Sequence, residues 1–186
     1  MLRVLLFAIL SGALAYVSRA SLRVPRSHGF YRFFAWECIL ALFLLNFINL
    51  GQWFGDPFSV RQLISWLLLM GCIVPAVCGI HVLRTKGKPD PRRPHDAPLL
   101  SIEKTTRLVT TGAFKYIRHP LYSSLVLLAW GVFFKHPSWL AGGVVLGATA
   151  FLVATAKVEE VENGRYFGTA YQAYMQRTKM FIPFIF

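Results

Sequence analysis

Apolar positions along the chain gather into five long runs separated by polar stretches. The first run, Leu2 to Val17, contains one charge, Arg3. The second, Phe33 to Phe54, is interrupted by Glu37, and the third, Leu63 to Leu83, is uncharged and carries Pro75 and Gly79. The fourth, Pro120 to Phe134, is short, and the fifth, Ser138 to Ala156, is rich in small residues such as Gly142, Gly143, Gly147 and Ala148. A hydrocarbon core of about 30 Å needs roughly 20 residues of helix. The pattern predicts an all-α integral membrane protein with about five transmembrane helices. Only Lys135-His136-Pro137 separates the last two runs, which predicts a tight antiparallel hairpin. Small residues in the fifth run let its backbone approach a neighbour closely. The first run also carries an Ala13-x-Ala15 pattern, as a signal peptide would, but its basic region is thin and further spans follow.

The polar stretches divide the single expected domain, 1–186, into three N-terminal spans (1–83), a long loop (84–119), a helical hairpin (120–156) and a C-terminal helix and tail (157–186). The segment Lys86 to Pro98 holds Pro89, Pro91, Pro94 and Pro98 and is predicted to be extended, since proline removes a donor and clashes within a helix. From Lys157 to Arg177, Phe167, Tyr171, Tyr174, Met175 and Thr178 recur at helical spacing, which predicts an amphipathic helix outside the bilayer. An apolar tail, Phe181 to Phe186, follows.

Charge adds orientation. Arg19, Arg23, Arg26 and Arg32 lie between the first two runs without an acid, whereas the next loop has only Asp56 and Arg61. The third loop carries nine basic residues against Asp90, Asp96 and Glu103, and the fourth has only Lys135. Basic loops stay in the cytoplasm, so loops one and three and the C-terminus are expected there, in a multi-pass membrane protein. With 20 Lys+Arg against 8 Asp+Glu, the net charge of +12 would suggest nucleic acid in a soluble chain. Here 55% of residues are hydrophobic, only 15% are charged and mean hydropathy is +0.50, so basic loops beside lipid account for the excess and no nucleic-acid partner is expected. The same composition excludes a disordered chain. Cys38, Cys72 and Cys78 fall inside apolar runs without CxxC or zinc-type spacing, so no metal site is expected.

Three polar features exceed what a structural bundle needs. Arg118-His119-Pro120-Leu121-Tyr122 opens the fourth run. It reads either as an interfacial belt, with Arg snorkelling and Pro starting a helix, or as a polar site. Glu159, Glu160 and Glu162 stand where the fifth run ends. They form either a solvated face paired with Lys157 and Arg165, or a carboxylate held at the membrane edge to meet a cationic ligand. Glu37, inside the second run, is either functional or within reach of the interface. No GxGxxG after a strand, Walker loop, HExxH or GxSxG occurs.

The stretch Leu108 to Tyr122, followed in order by Glu159-Glu160, Phe167-Gly168, Tyr171, Tyr174 and Phe181-Ile182-Pro183, resembles the signature of the isoprenylcysteine carboxyl methyltransferase and phospholipid methyltransferase superfamily of integral membrane enzymes. The resemblance covers roughly residues 100–186. It implies S-adenosyl-L-methionine bound in a cytoplasm-facing site formed by the loop before span four and the C-terminal helix, with a lipophilic acceptor arriving from the bilayer. By the same resemblance the cofactor meets Thr106, Arg107, Leu108, Val109, Phe114, His119, Pro120, Leu121, Tyr122 and Glu159. His119 and Glu160 are the candidates for catalysis, as bases an amine acceptor would require. Thr155 and Lys157 are the candidates near the substrate. Thr155 stands where prenylcysteine enzymes tend to carry Arg, Phe114 where Tyr is common, and Met180 where many relatives have Arg. Each Arg lost is a fork-shaped donor suited to a carboxylate.

The expected activity is S-adenosylmethionine-dependent methyl transfer to a small lipophilic or prenylated acceptor, as in protein-S-isoprenylcysteine O-methyltransferases. A phospholipid (ethanolamine-type) N-methyltransferase is the alternative. A sterol-reductase-like NADPH enzyme and a non-catalytic membrane scaffold are further readings.

Overall fold

A computed structural model describes residues 2–90, 100 and 102–185. Among these residues the protein is helical, with isolated backbone bridges and no strands. In order, the helices are α1 (Leu2–Val17), α2 (Arg19–Leu22), α3 (His28–Ile48), α4 (Val60–Gly71), α5 (Ile73–Lys86), α6 (Pro120–Lys135), α7 (Trp139–Phe167) and α8 (Thr169–Arg177). Three stretches are long and apolar enough to cross a membrane: His28–Ile48, Val60–Lys86 and Trp139–Phe167. Helices α1 and α6, with 16 residues each, rise only about 24 Å. They are the shorter apolar companions of the three.

Local chemistry moves several boundaries from those the apolar runs suggest. The helix of the second run, α3, starts at His28 because Ser27 caps it, its hydroxyl accepting from the Phe30 N–H at 3.2 Å. It stops at Ile48, where Asn46 and Asn49 turn their side-chain amides back to the carbonyls of Leu42 and Leu45. The third run is two helices that meet at Cys72, since Pro75 has no N–H to give the Gly71 carbonyl. The largest difference is at the fifth run. No break falls at 156–157: α7 continues for 29 residues to Phe167 and ends only at Gly168, whose φ of +60° suits a residue without Cβ. The predicted amphipathic helix is thus the last third of α7 plus α8. Of the extended reading for Lys86 to Pro98, Lys86 ends α5 and Pro89 bridges to Thr105, whereas Pro91, Pro94 and Pro98 lie outside the described residues.

Packing explains the small residues of α7. Ala141, Val145 and Ala148 meet Ile39 and Leu42 of α3 and Ala129 and Val132 of α6 in one buried cluster. A second cluster, Ala35, Tyr122, Leu152, Ala156, Met180 and Phe181, joins the tail to the same three helices. Helix α4 lies close on α6 at Gly131, where a Cβ would stand 2.9 Å from the Leu69 side chain and 3.2 Å from its backbone nitrogen. The Ser65 hydroxyl donates to the Gly131 carbonyl there at 2.7 Å.

The two ends of the bundle differ in chemistry. At one, Arg3 donates to the last carbonyl of α3 (3.1 Å) and Arg61 to that of α6 (2.5 Å). Lys135 is fully buried beside them, its Nζ 2.9 Å from Gln62 Oε1 and 3.3 Å from the centre of the Trp66 ring. The other end gathers His28, Arg32, Glu103, Arg118, His119, Glu159, Glu160 and Glu162. Between the ends, Glu37 accepts a hydrogen bond from Ser11 of α1 at 2.5 Å, and its Oε1 is buried without a partner.

Candidate active site

The site begins with a backbone zipper. Residues 178–181 run parallel to 116–119: the Arg118 N–H donates to the Lys179 carbonyl (2.8 Å), the His119 N–H to Met180 (3.2 Å) and the Lys179 N–H to Tyr116 (3.0 Å). Ser123 adds its hydroxyl to the Phe181 carbonyl at 2.8 Å. Pro120 then starts α6 at its first position, where its missing N–H costs nothing. The chain entering α6 is thereby fixed, and with it the direction of His119 and Tyr122.

Opposite this turn, α7 delivers its carboxylates. Tyr122 donates to Glu159 Oε2 at 2.6 Å, and His119 Nδ1 stands 3.8 Å from the same oxygen. Asn163, one turn later, reaches Glu159 Oε1 at 3.4 Å. Glu160 faces the other way: its Oε1 accepts from Arg118 Nε at 2.6 Å and lies 3.2 Å from His119 Nε2. Arg118 also donates to the carbonyls of Met175 and Thr178, the last turn of α8 and its exit. The imidazole of His119 stacks on the Tyr122 ring with centroids 5.4 Å apart. Each ring nitrogen therefore faces one of two consecutive carboxylates.

A second cluster backs the first. His28, fully buried at the start of α3, lies 2.5 Å from Glu162 Oε2 through Nδ1 and 3.4 Å from Glu103 Oε2 through Nε2. Arg32, one turn on, pairs with Glu103 Oε1. Glu103 also accepts the Leu100 N–H at 2.8 Å. Burial alone would lift the Glu103 carboxyl, but the Arg32 guanidinium, then His28 and the Leu100 amide, outweigh it and hold it well below the usual carboxylate range.

Between these clusters opens a cavity. Its walls are largely apolar and aromatic, with the carboxylates of Glu103 and Glu159, the guanidinium of Arg118 and the imidazole of His119 among them. Two phenols of α8 close one side. Burial, and for Tyr171 the carboxylates of Glu159 and Glu160, push both phenols above their ordinary range, so Tyr171 and Tyr174 remain neutral donors. Tyr174 uses its hydroxyl on the Phe114 carbonyl at 2.7 Å.

Of the residues singled out in the sequence, Leu108, Val109, Phe114, His119, Pro120, Leu121, Tyr122 and Glu159 line this cavity. Thr106 and Arg107 do not. Their amides turn to the Gly87 carbonyl and both side chains are exposed, while neighbouring Thr105 faces the cavity instead. Glu160 sits behind His119 rather than on the wall. Thr155 is fully buried, its hydroxyl bonded to the Phe151 carbonyl one turn back, and Lys157 is exposed. Glu162 stands in the acidic cluster already singled out, His28 carries no motif, and sequence reading counts Arg32 and Glu103 only as loop charges. The one visible signal at Glu103 is a lone acid placed after a run of basic residues.

Residues 99–182 match the family described as phospholipid methyltransferase. No curated protein and no solved structure matches the chain. The match spans both halves of the cavity, from the loop that carries Glu103 to the tail zipped against His119. By this match residues 99–182 are a phospholipid methyltransferase domain, of the superfamily that also holds the isoprenylcysteine carboxyl methyltransferases.

Proposed function

We propose that the chain transfers a methyl group from S-adenosylmethionine to an amine-bearing lipid at the cavity between α6, α7 and α8, on the cytoplasmic side of the membrane. The observation that carries this reading is the convergence of Tyr122, His119 and Glu159 on one aromatic-walled cavity.

The residues fit the cofactor. S-adenosylmethionine carries an ammonium and a sulfonium, and Glu159 offers a carboxylate that Tyr122 and Asn163 hold in place. Leu108, Val109, Phe114 and Tyr171 provide apolar and aromatic surface for a flat ring. When bound, the cofactor supplies an electrophilic methyl carbon. The chain's part is alignment, which for such transfers is the larger share of catalysis. His119 has a second task. An ammonium must lose a proton before its nitrogen can attack, and the imidazole stands in the cavity wall with Glu160 behind its Nε2 to orient it.

Acceptor chemistry follows from the walls. Arg118 is the one Lys or Arg among the described lining residues, and it is committed to Glu160 and two carbonyls. The Glu159 carboxylate faces the same space, as does that of Glu103, which is already paired with Arg32 and His28. Acid-bearing walls favour an amine over the carboxylate of a prenylcysteine. The prenylcysteine reading keeps the support of the motif resemblance.

The test is transfer of labelled methyl from S-adenosylmethionine to phosphatidylethanolamine and to a prenylcysteine by the purified protein. A base-stable N-methyl product supports the amine reading, and base-labile methyl ester supports the carboxylate one. Thermal stabilisation by NADPH with none by S-adenosylmethionine would overturn both.

A further inference from the structure

At the bundle end opposite the candidate active site, two cavities share one residue. An apolar groove of about 500 Å³ runs between α1 and α3, lined by Leu6, Phe7 and Leu10 on one side and Leu40, Phe43 and Phe47 on the other, with Arg3 at its end. Arg3 also lines a wide, polar cavity of about 930 Å³, together with Asn49, Asp56 and Arg61. Arg3 thus stands on the wall of both, the apolar and the polar.

The charges there are unbalanced. Arg3 spends one N–H on the Ile48 carbonyl and Arg61 one on the Lys135 carbonyl. Among the described residues neither is in an ion pair with a carboxylate. A guanidinium has five N–H donors, so both keep donors to spare. Asp56 is the one acid in the cavity wall, two cations against one anion. Lys135, buried behind Arg61, adds positive charge and is bonded to Gln62, not to an acid.

We propose that this end of the bundle holds one anionic phospholipid, its acyl chain in the α1–α3 groove and its phosphate between Arg3 and Arg61. The two halves of the ligand match the two halves of the site. A phosphate takes two or more N–H donors from arginine, and a chain attached to it leaves towards Phe7 and Phe43. A helix of a second protein would cover the groove and bring nothing to the arginines. The site is separate from the cavity around Glu159, so it stands or falls independently of the proposed methyl transfer.

Native mass spectrometry of the full chain, released from neutral phosphatidylcholine, tests it by titration with phosphatidylglycerol, phosphatidylcholine or inorganic phosphate. Phosphatidylglycerol should be retained at one copy in preference to the neutral lipid, and raised salt during loading should weaken it. Arg3→Gln and Arg61→Gln should each lower apparent affinity roughly fivefold, the loss of one arginine near a charged headgroup. Leu6→Trp changes no charge and replaces a half-exposed side chain, so the fold tolerates it, yet it fills the groove and should also release the lipid. Equal retention of the two lipids, salt-insensitive binding, or full retention by Leu6→Trp would overturn the proposal. Binding of inorganic phosphate as tight as that of the lipid would show that the groove contributes nothing, which also overturns it.

Discussion

The hydroxyl of Tyr122 and the carboxylate of Glu159 meet at 2.6 Å although 37 residues separate them in sequence. The tight turn after Lys135 folds α7 back along α6, and the pair marks where the two helices return to the same level. If Glu159 meets the cofactor's positive charge, Glu159→Gln removes a charge-assisted bond of about 1.5–3 kcal/mol, or roughly a 10–100-fold loss of affinity. Tyr122→Phe keeps the carboxylate and removes only its orienting donor, a loss of about tenfold or less. Calorimetric titration of both variants with S-adenosylmethionine checks this order. Equal affinities for Glu159→Gln and the unmodified protein would remove Glu159 from the site.

Arg118 binds three partners at once, and its role is to hold the tail. Arg118→Met leaves Glu160 without its cation and the Thr178 carbonyl without its donor. Breaking a buried pair from one side costs about 3–5 kcal/mol. A lowered melting temperature and faster proteolysis after Lys179 are the expected readouts. Combined with Glu160→Leu, the loss should be smaller than the sum of the single changes, because the uncompensated charge is gone.

Acid should act through Glu103. Its carboxyl titrates lower in the folded protein than in the unfolded chain, near about 2. The stabilisation is therefore complete above the unfolded value of about 4.3 and is lost as pH falls from there towards the folded one. The difference in melting temperature between the unmodified protein and Glu103→Gln should be constant from pH 7 to 5 and shrink below pH 4. A difference that grows on acidification would contradict the pairing with Arg32.

Gly131 is a contact residue, not a flexible one. Gly131→Val pushes a branched side chain against the Leu69 backbone and should cost about 1–3 kcal/mol through overpacking. Gly143→Ala, where nothing lies within 4 Å, should be neutral or mildly stabilising, since alanine is the better helix former. Thermal unfolding of the two variants side by side separates packing from propensity.

Where the sequence was legible, an apolar run or a proline set the boundary. Leu2–Val17 and the start of α6 at Pro120 stand where the pattern puts them, because hydrophobicity and a fixed φ act locally. The extent of α7 was not legible. Glu159, Glu160 and Glu162 look like a helix face entering water, yet each meets a partner from a distant element. The same holds for Arg32, which reads as a topology signal and is nonetheless buried against Glu103. Pairing across 71 residues leaves no periodic trace. Motif resemblance reached the α6–α7 side of the cavity, and the pairing of Glu103 with His28 and Arg32 behind it came only from the fold.

The zipper between residues 116–119 and 178–181 sets a timetable for biosynthesis. Arg118 leaves the ribosome 60 residues before Thr178, the carbonyl it will bind. Chains fold as they are made, N-terminal parts first. The hydrophobic helices therefore enter the bilayer while the turn that aims His119 still has no partner. A nascent chain stalled before Phe181 would be inserted and packed, yet carry an unassembled wall. Until translation passes that point, the polar groups at this end of the bundle are the exposed surface that a chaperone or protease can recognise.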